Sequence, residues 1–170
     1  MDHFARLGLP AALELEPVAL DRAYFALQRQ WHPDRFVAKP AEERARASSQ
    51  AAALNDAYRT LKDPLSRAFY LAELRGVELP GDGKTIDDPE LLMEAMDARE
   101  ELQEASNVAE VDALARFARE DLDKGLADLP RLFLENDKGA IRKALLRLRY
   151  LDKFAEEARA RRANIERASA

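Results

Sequence analysis

Residues 28–36 read QRQWHPDRF, which sets the single tryptophan beside one of the two histidines and follows them with proline and aspartate. Proline lacks a backbone donor and pushes its predecessor out of helical geometry, so a helix ends at about Trp31. Working back from that stop at 100° per residue, Leu20, Tyr24, Leu27 and Trp31 fall within about 60° of one another. They form the core stripe of a helix starting near Pro17, whose opposite face, with Arg22, Ala26 and Arg29, is small and basic. Working forward, Ala47, Ala51, Leu54, Tyr58 and Leu61 repeat the pattern on a helix from about Pro40 to Lys62. Two such stripes pack as an antiparallel hairpin, with HPDRFVAK as its connecting loop.

Prolines at positions 17, 40, 64 and 89 mark four helix starts, and Asp63 and Asp88 stand before two of them as caps. A short helix runs from Pro64 to about Arg75 and ends at Gly76; the stretch GVELPGDGKTIDD after it holds half of the six glycines. A domain boundary belongs there: a first domain over 1–75, a linker over 76–87 and a second domain over 88–170. The second domain reads as three helices, from about Asp88 to Ser106, Val108 to Leu134 and Lys138 to Ile165, which short turns would close into an antiparallel bundle. Pro130 is expected to kink or break the middle one. The fold class is all-α.

Composition narrows the function. The net charge of −5 argues against a general nucleic-acid binder. Acidity belongs to the second part: residues 1–75 carry 11 basic and 10 acidic side chains, the remainder 16 and 22. With no cysteine and two isolated histidines, neither thiol chemistry nor a convincing metal site is available, and no cofactor is expected. The opening MDHFARLGLPAAL lacks the pattern of a secretory signal and no segment is apolar enough to span a bilayer, so the expected setting is cytoplasmic, away from membranes.

Three readings of His32-Pro33-Asp34 are open. As a dyad, Asp34 would orient His32 as a general base, yet no nucleophile, phosphate-cradling loop or metal accompanies it. As a helix stop it needs no partner. As a docking element, a proline-stiffened loop presents an imidazole and a carboxylate at little ordering cost, and nearby arginines steer toward an acidic surface. The arrangement of a basic-faced helix, an exposed HPD loop and a longer helix ending in LNDAYRTLKDPLSRAFY resembles the J-domain of the DnaJ co-chaperones. That resemblance implies no enzyme activity of its own. It implies docking on a DnaK-class chaperone and stimulation of its ATPase through His32, Pro33 and Asp34, with Arg22, Arg29 and Arg35 as electrostatic contacts. Arg35 stands where the family commonly has lysine.

In the second domain, DDPELLMEAMDAREELQEAS is the informative stretch. Leu91, Ala95, Ala98 and Leu102 supply a core stripe, while Met93, Asp97, Glu100 and Glu104 form a second stripe almost opposite, with Leu92 and Met96 beside it. On the last helix Ile141, Leu145, Leu148, Leu151 and Ala155 fill one side, and Tyr150 points nearly opposite Ile141, flanked by Leu146 and Phe154. Three readings are open: these off-core residues are an ordinary solvated face, or they merge into one apolar patch with an acidic rim, a surface suited to a protein partner, or part of that surface, Phe154 or Leu146 in it, packs against the first domain.

LLMEAMDAREELQEA and LRYLDKF, downstream of a domain opening MDHFARLGLP, are similar to the HscB family, the J-proteins of bacterial iron–sulfur cluster assembly. The resemblance spans essentially the whole chain. It implies that the second domain binds the cluster scaffold IscU through Leu92, Met93, Met96 and Tyr150 with Asp97, Glu100 and Glu104, and that the J-domain delivers the scaffold to the chaperone HscA. Met96 and Asp97 replace a leucine and a glutamate of the family. A general J-protein serving DnaK and unfolded clients is the alternative.

Overall fold

A computed structural model describes residues 1–81 and 83–169; Asp82, in the predicted linker, and Ala170, at the end of the predicted bundle, lie outside the described residues. The chain folds into two compact units, Met1–Leu74 and Arg75–Ala170, and every regular element among the described residues is helical.

The first unit holds α1 (His3–Leu7), α2 (Pro17–Trp31), α3 (Ala41–Lys62) and α4 (Pro64–Leu74), with a 3-10 turn over Pro33–Phe36. Helices α2 and α3 are the expected antiparallel hairpin, pinned by hydrogen bonds from the Tyr58 hydroxyl to Asp21 (2.7 Å) and from the Tyr24 hydroxyl to Asn55 (2.8 Å). The two tyrosine rings stack at 4.0 Å. Leu20, Ala47, Leu54, Ala57 and Leu61 are buried, and Phe4 and Leu7 of α1 join them. α1 is too short for a periodic signal. Its marks are local: Asp2 accepts the Ala5 amide at 2.8 Å, and Gly8 ends the helix at φ 65°, a conformation that favours glycine.

The second unit holds α5 (Pro89–Glu104), α6 (Val108–Glu135) and α7 (Lys138–Ala168). Each start is capped: Asp88 accepts the amides of Glu90 and Leu91, Asn107 that of Glu110, and Asp137 that of Ala140. α7 is the central element. It packs antiparallel to α6, closely enough at Gly125 that an added Cβ would lie 2.4 Å from Leu148 Cδ2. α5 lies on α7 in the same direction, tied to it by Glu90–Lys143, Glu94–Arg147 and Arg99–Glu157 ion pairs. A helix packed on two sides buries two faces. Leu146, Tyr150 and Phe154 are therefore buried along with Ile141, Leu145 and Leu148, which corrects the reading of α7 as a helix with a single core stripe.

Two further details concern the segment after Gly76 and Pro130. The segment after Gly76 is held to the second unit: Val77 is buried, Arg142 donates to the Glu78 carbonyl and pairs with Asp87, and Arg149 donates to the Pro80 carbonyl. Of the two outcomes expected at Pro130, a kink or a break, the break does not occur: α6 continues through it. Pro130 is exposed while Leu129, Leu132 and Phe133 beside it are buried, so the proline ring lies on the water side and the flanking residues hold the helix in place.

Candidate partner-binding sites

In the first unit the site begins where α2 stops. His32, restricted by Pro33, takes an extended backbone (φ −60°, ψ 128°), and the chain turns at once into the 3-10 segment. Three contacts brace the turn: the Arg35 amide donates to the His32 carbonyl (3.0 Å), the Arg35 guanidinium to the Arg29 carbonyl (3.0 Å), and the rings of Trp31 and Phe36 lie parallel at 6.1 Å. The guanidinium thereby satisfies a carbonyl at the negative end of α2. The Asp34 amide donates to His32 Nδ1 at 3.3 Å. Nδ1 is then the acceptor and Nε2 carries the proton, an assignment resting on that bond.

His32 Nδ1 and Asp34 Oδ2 are 3.6 Å apart, longer than a hydrogen bond, so the carboxylate does not orient the imidazole as a dyad would require. His32, Pro33, Asp34 and Arg35 are all exposed, as are Arg22 and Arg29, whose side chains have no partner among the described residues. Sequence reasoning missed Phe25 and Val18. Both are exposed on the same face of α2, in the row Val18, Arg22, Phe25, Arg29 with successive spacings of four, three and four residues, so the face is apolar as well as basic.

In the second unit α5 buries Leu91, Ala95 and Leu102 and turns its other side to water. Met93 is 65% and Met96 58% exposed, and Asp97, Glu100 and Glu104 are exposed around them. None of the three carboxylates has a side-chain partner among the described residues, whereas Glu90 and Glu94 of the same helix are paired with α7. Leu92 is half-buried on the flank of this face, bordering a pocket of about 270 Å³ with Pro80, Ile86 and Leu146.

Tyr150 is placed differently from the expectation. It is 8% exposed, and its hydroxyl donates to Glu94 Oε1 at 2.5 Å, so it belongs to the packing between α5 and α7 and not to the exposed face of Met93. Burial, reinforced by the Glu94 carboxylate, pushes the Tyr150 hydroxyl well above the ordinary tyrosine range. Burial also works against ionisation of Glu94, but the hydrogen bonds from Arg147 and Tyr150 outweigh it and hold that carboxyl below its usual value.

Residues 87–159 match the family model described as the HSCB C-terminal oligomerisation domain. A co-chaperone protein HscB homolog of Burkholderia multivorans is 40% identical over 158 residues, spanning 91% of this chain and 90% of that protein. The chain belongs to the HscB family. Solved HscB structures carry the same fold: the Vibrio cholerae chaperone HscB superposes with a TM-score of 0.81 at 34% identity over 94% of this chain and 96% of that one. The human co-chaperone HscB gives 0.85 at 27% identity, over 94% and 81%. The two units are thus the J-domain and the C-terminal helical domain of an HscB-type co-chaperone.

Proposed function

We propose that this HscB-family chain is an adaptor that performs no chemistry of its own. The J-domain docks on the DnaK-class chaperone HscA through His32, Pro33 and Asp34 and the cationic row of Arg22, Arg29 and Arg35, and stimulates its ATPase. The C-terminal domain holds the scaffold IscU through Leu92, Met93 and Met96 with Asp97, Glu100 and Glu104 around them, while Tyr150 supports that surface from beneath. Tethering the scaffold to a chaperone-docking module raises its effective concentration at the chaperone's peptide site, and hydrolysis then traps it there in the course of cluster transfer.

The observation that carries this reading is the exposed face of α5. Two methionines stay in water beside three carboxylates that no cation among the described residues pairs with. A merely solvated helix gains nothing from that arrangement, whereas a partner with apolar and basic groups covers both features.

The test is the steady-state ATPase rate of HscA with and without this chain and with and without IscU. The expected result is stimulation that grows strongly when all three are present. Stimulation of DnaK in place of HscA, indifferent to IscU, would make the chain a general J-protein; turnover by the chain alone would return His32 and Asp34 to the enzymatic reading.

A further inference from the structure

Within the second unit α5 and α6 run antiparallel with α7 beneath them, and a groove remains between the two. Asp97 and Glu101 of α5 form one wall, Leu114 and Phe117 of α6 the other, and Tyr150 and Phe154 of α7 the floor. The groove continues past Glu101 and Leu114 toward Glu104 and Glu110, the two stretches measuring about 300 and 380 Å³. Phe117 is 62% exposed on its lip, a large ring that the packing of the bundle leaves in water.

All acidic and basic side chains that border the groove are carboxylates. At one end the chain supplies its own cation: Arg147 spans the two walls, 2.7 Å from Glu94 and 3.4 Å from Asp121. Farther along, Asp97, Glu101, Glu104 and Glu110 have no ionic partner among the described residues. A metal ion does not suit the place, because no three carboxylates among the described residues converge on a common point. Nucleic acid is excluded by the sign of the charge. An apolar floor and an apolar α6 lip beside carboxylates of both helices call for an apolar side chain flanked by cations, a combination that a polypeptide supplies.

We infer that this groove receives a basic segment of the partner protein, with an arginine or lysine continuing the row that Arg147 begins and an apolar side chain laid on Phe117. The inference rests on the reading of the second unit as the scaffold-binding unit, and adds that α6 contacts the scaffold as well as α5. Carboxylates of both walls would then be neutralised together, and Phe117 would leave water.

Amide chemical-shift mapping of the full chain titrated with IscU tests both levels. The expected result is that residues 114–121 of α6 shift together with residues 92–104 of α5. Shifts confined to α5 overturn the groove and leave the scaffold reading standing; no shifts anywhere in the second unit overturn both. In calorimetry, Phe117→Ala and Glu101→Lys should each weaken IscU binding by roughly tenfold. The Glu101→Lys defect should shrink in about 0.5 M salt while that of Phe117→Ala persists. Both side chains are exposed, so unchanged melting is expected of the variants; unchanged affinity for both would also overturn the groove.

Discussion

Gly125→Ala should destabilise the second unit, although alanine is the better helix former. The added methyl would lie 2.4 Å from Leu148 Cδ2 and 3.4 Å from Leu148 Cγ, and Leu148 is 2% exposed, with no route into solvent. Either Leu148 leaves its rotamer against a filled core or α6 and α7 part. Overpacking of this kind costs about 1–3 kcal/mol, and so close an approach belongs in the upper half of that range. The gain from replacing glycine within a helix returns about 1 kcal/mol. The net loss is then about 1–2 kcal/mol, which for a unit of roughly 100 residues lowers the melting temperature by about 5–15 °C. Far-UV circular dichroism follows both units, and Trp31, the single tryptophan, reports the first, so a transition seen by dichroism alone belongs to the second. The decisive comparison is a cycle with Leu148→Ala. That change alone costs about 2–5 kcal/mol, but it empties the space that the methyl needs. Gly125→Ala should therefore be neutral or stabilising by up to about 1 kcal/mol in the Leu148→Ala background. If Gly125→Ala raises stability in the otherwise unaltered chain, or shifts both backgrounds equally, the close helix approach is not what glycine provides at this position.

Asp34→Asn and His32→Gln are expected to abolish ATPase stimulation while scaffold binding stays intact, since both side chains are exposed and outside the second unit; equal loss of both activities in folded variants would refute the division into two sites. Met93→Ala combined with Met96→Ala should weaken IscU binding by roughly tenfold or more with melting unchanged. Tyr150→Ala should instead lower melting as well, because it empties a buried site and leaves Glu94 without its hydroxyl donor; a Tyr150→Ala variant as stable as the parent would contradict its burial. Acid should act on the second unit first. Asp87, Glu94, Glu110 and Asp128 all have carboxyls held below their ordinary values, by Arg142 for Asp87, by Arg147 and Tyr150 against the opposing effect of burial for Glu94, by Ser106 for Glu110 and by Arg131 for Asp128. A depressed carboxyl stabilises the fold above its unfolded value, 3.8 for Asp and 4.5 for Glu, and that contribution is lost as pH falls through the folded value. Between about pH 4.5 and about pH 2 the dichroism transition should fall further than the Trp31 transition, and coincident shifts would contradict the assignment.

Features that depend on residues close in the chain were legible in the sequence. Asp88 before Pro89 specifies a helix start through its own carboxylate, and His32-Pro33 specifies a stop through the proline ring, whatever surrounds them. The same holds for the core stripe of α5, the exposure of Met93, Met96, Asp97, Glu100 and Glu104 opposite it, and the HPD loop, because a helix's two faces are a matter of angular spacing alone. The signals missed were of the same local kind: α1 shows only a cap and a glycine, and Phe25 sat within a face read for its arginines.

What only the tertiary structure decided are the features that depend on a neighbour distant in sequence. Periodicity shows that α7 has apolar residues on two sides but not that α5 covers one side and α6 the other, and so it put Tyr150 in a partner-binding patch and left what covers Leu146 and Phe154 open. Charge patterning counts carboxylates on α5 but cannot tell Glu90 and Glu94, which reach Lys143 and Arg147, from Asp97 and Glu104, which have no side-chain partner among the described residues. Nor could it show that Pro130 lies on the water side of α6, or that Gly125 is the point where α6 and α7 meet. An amino-acid pattern sets which residues share a face; burial and pairing are properties of what that face meets, and that is settled only when the helices pack.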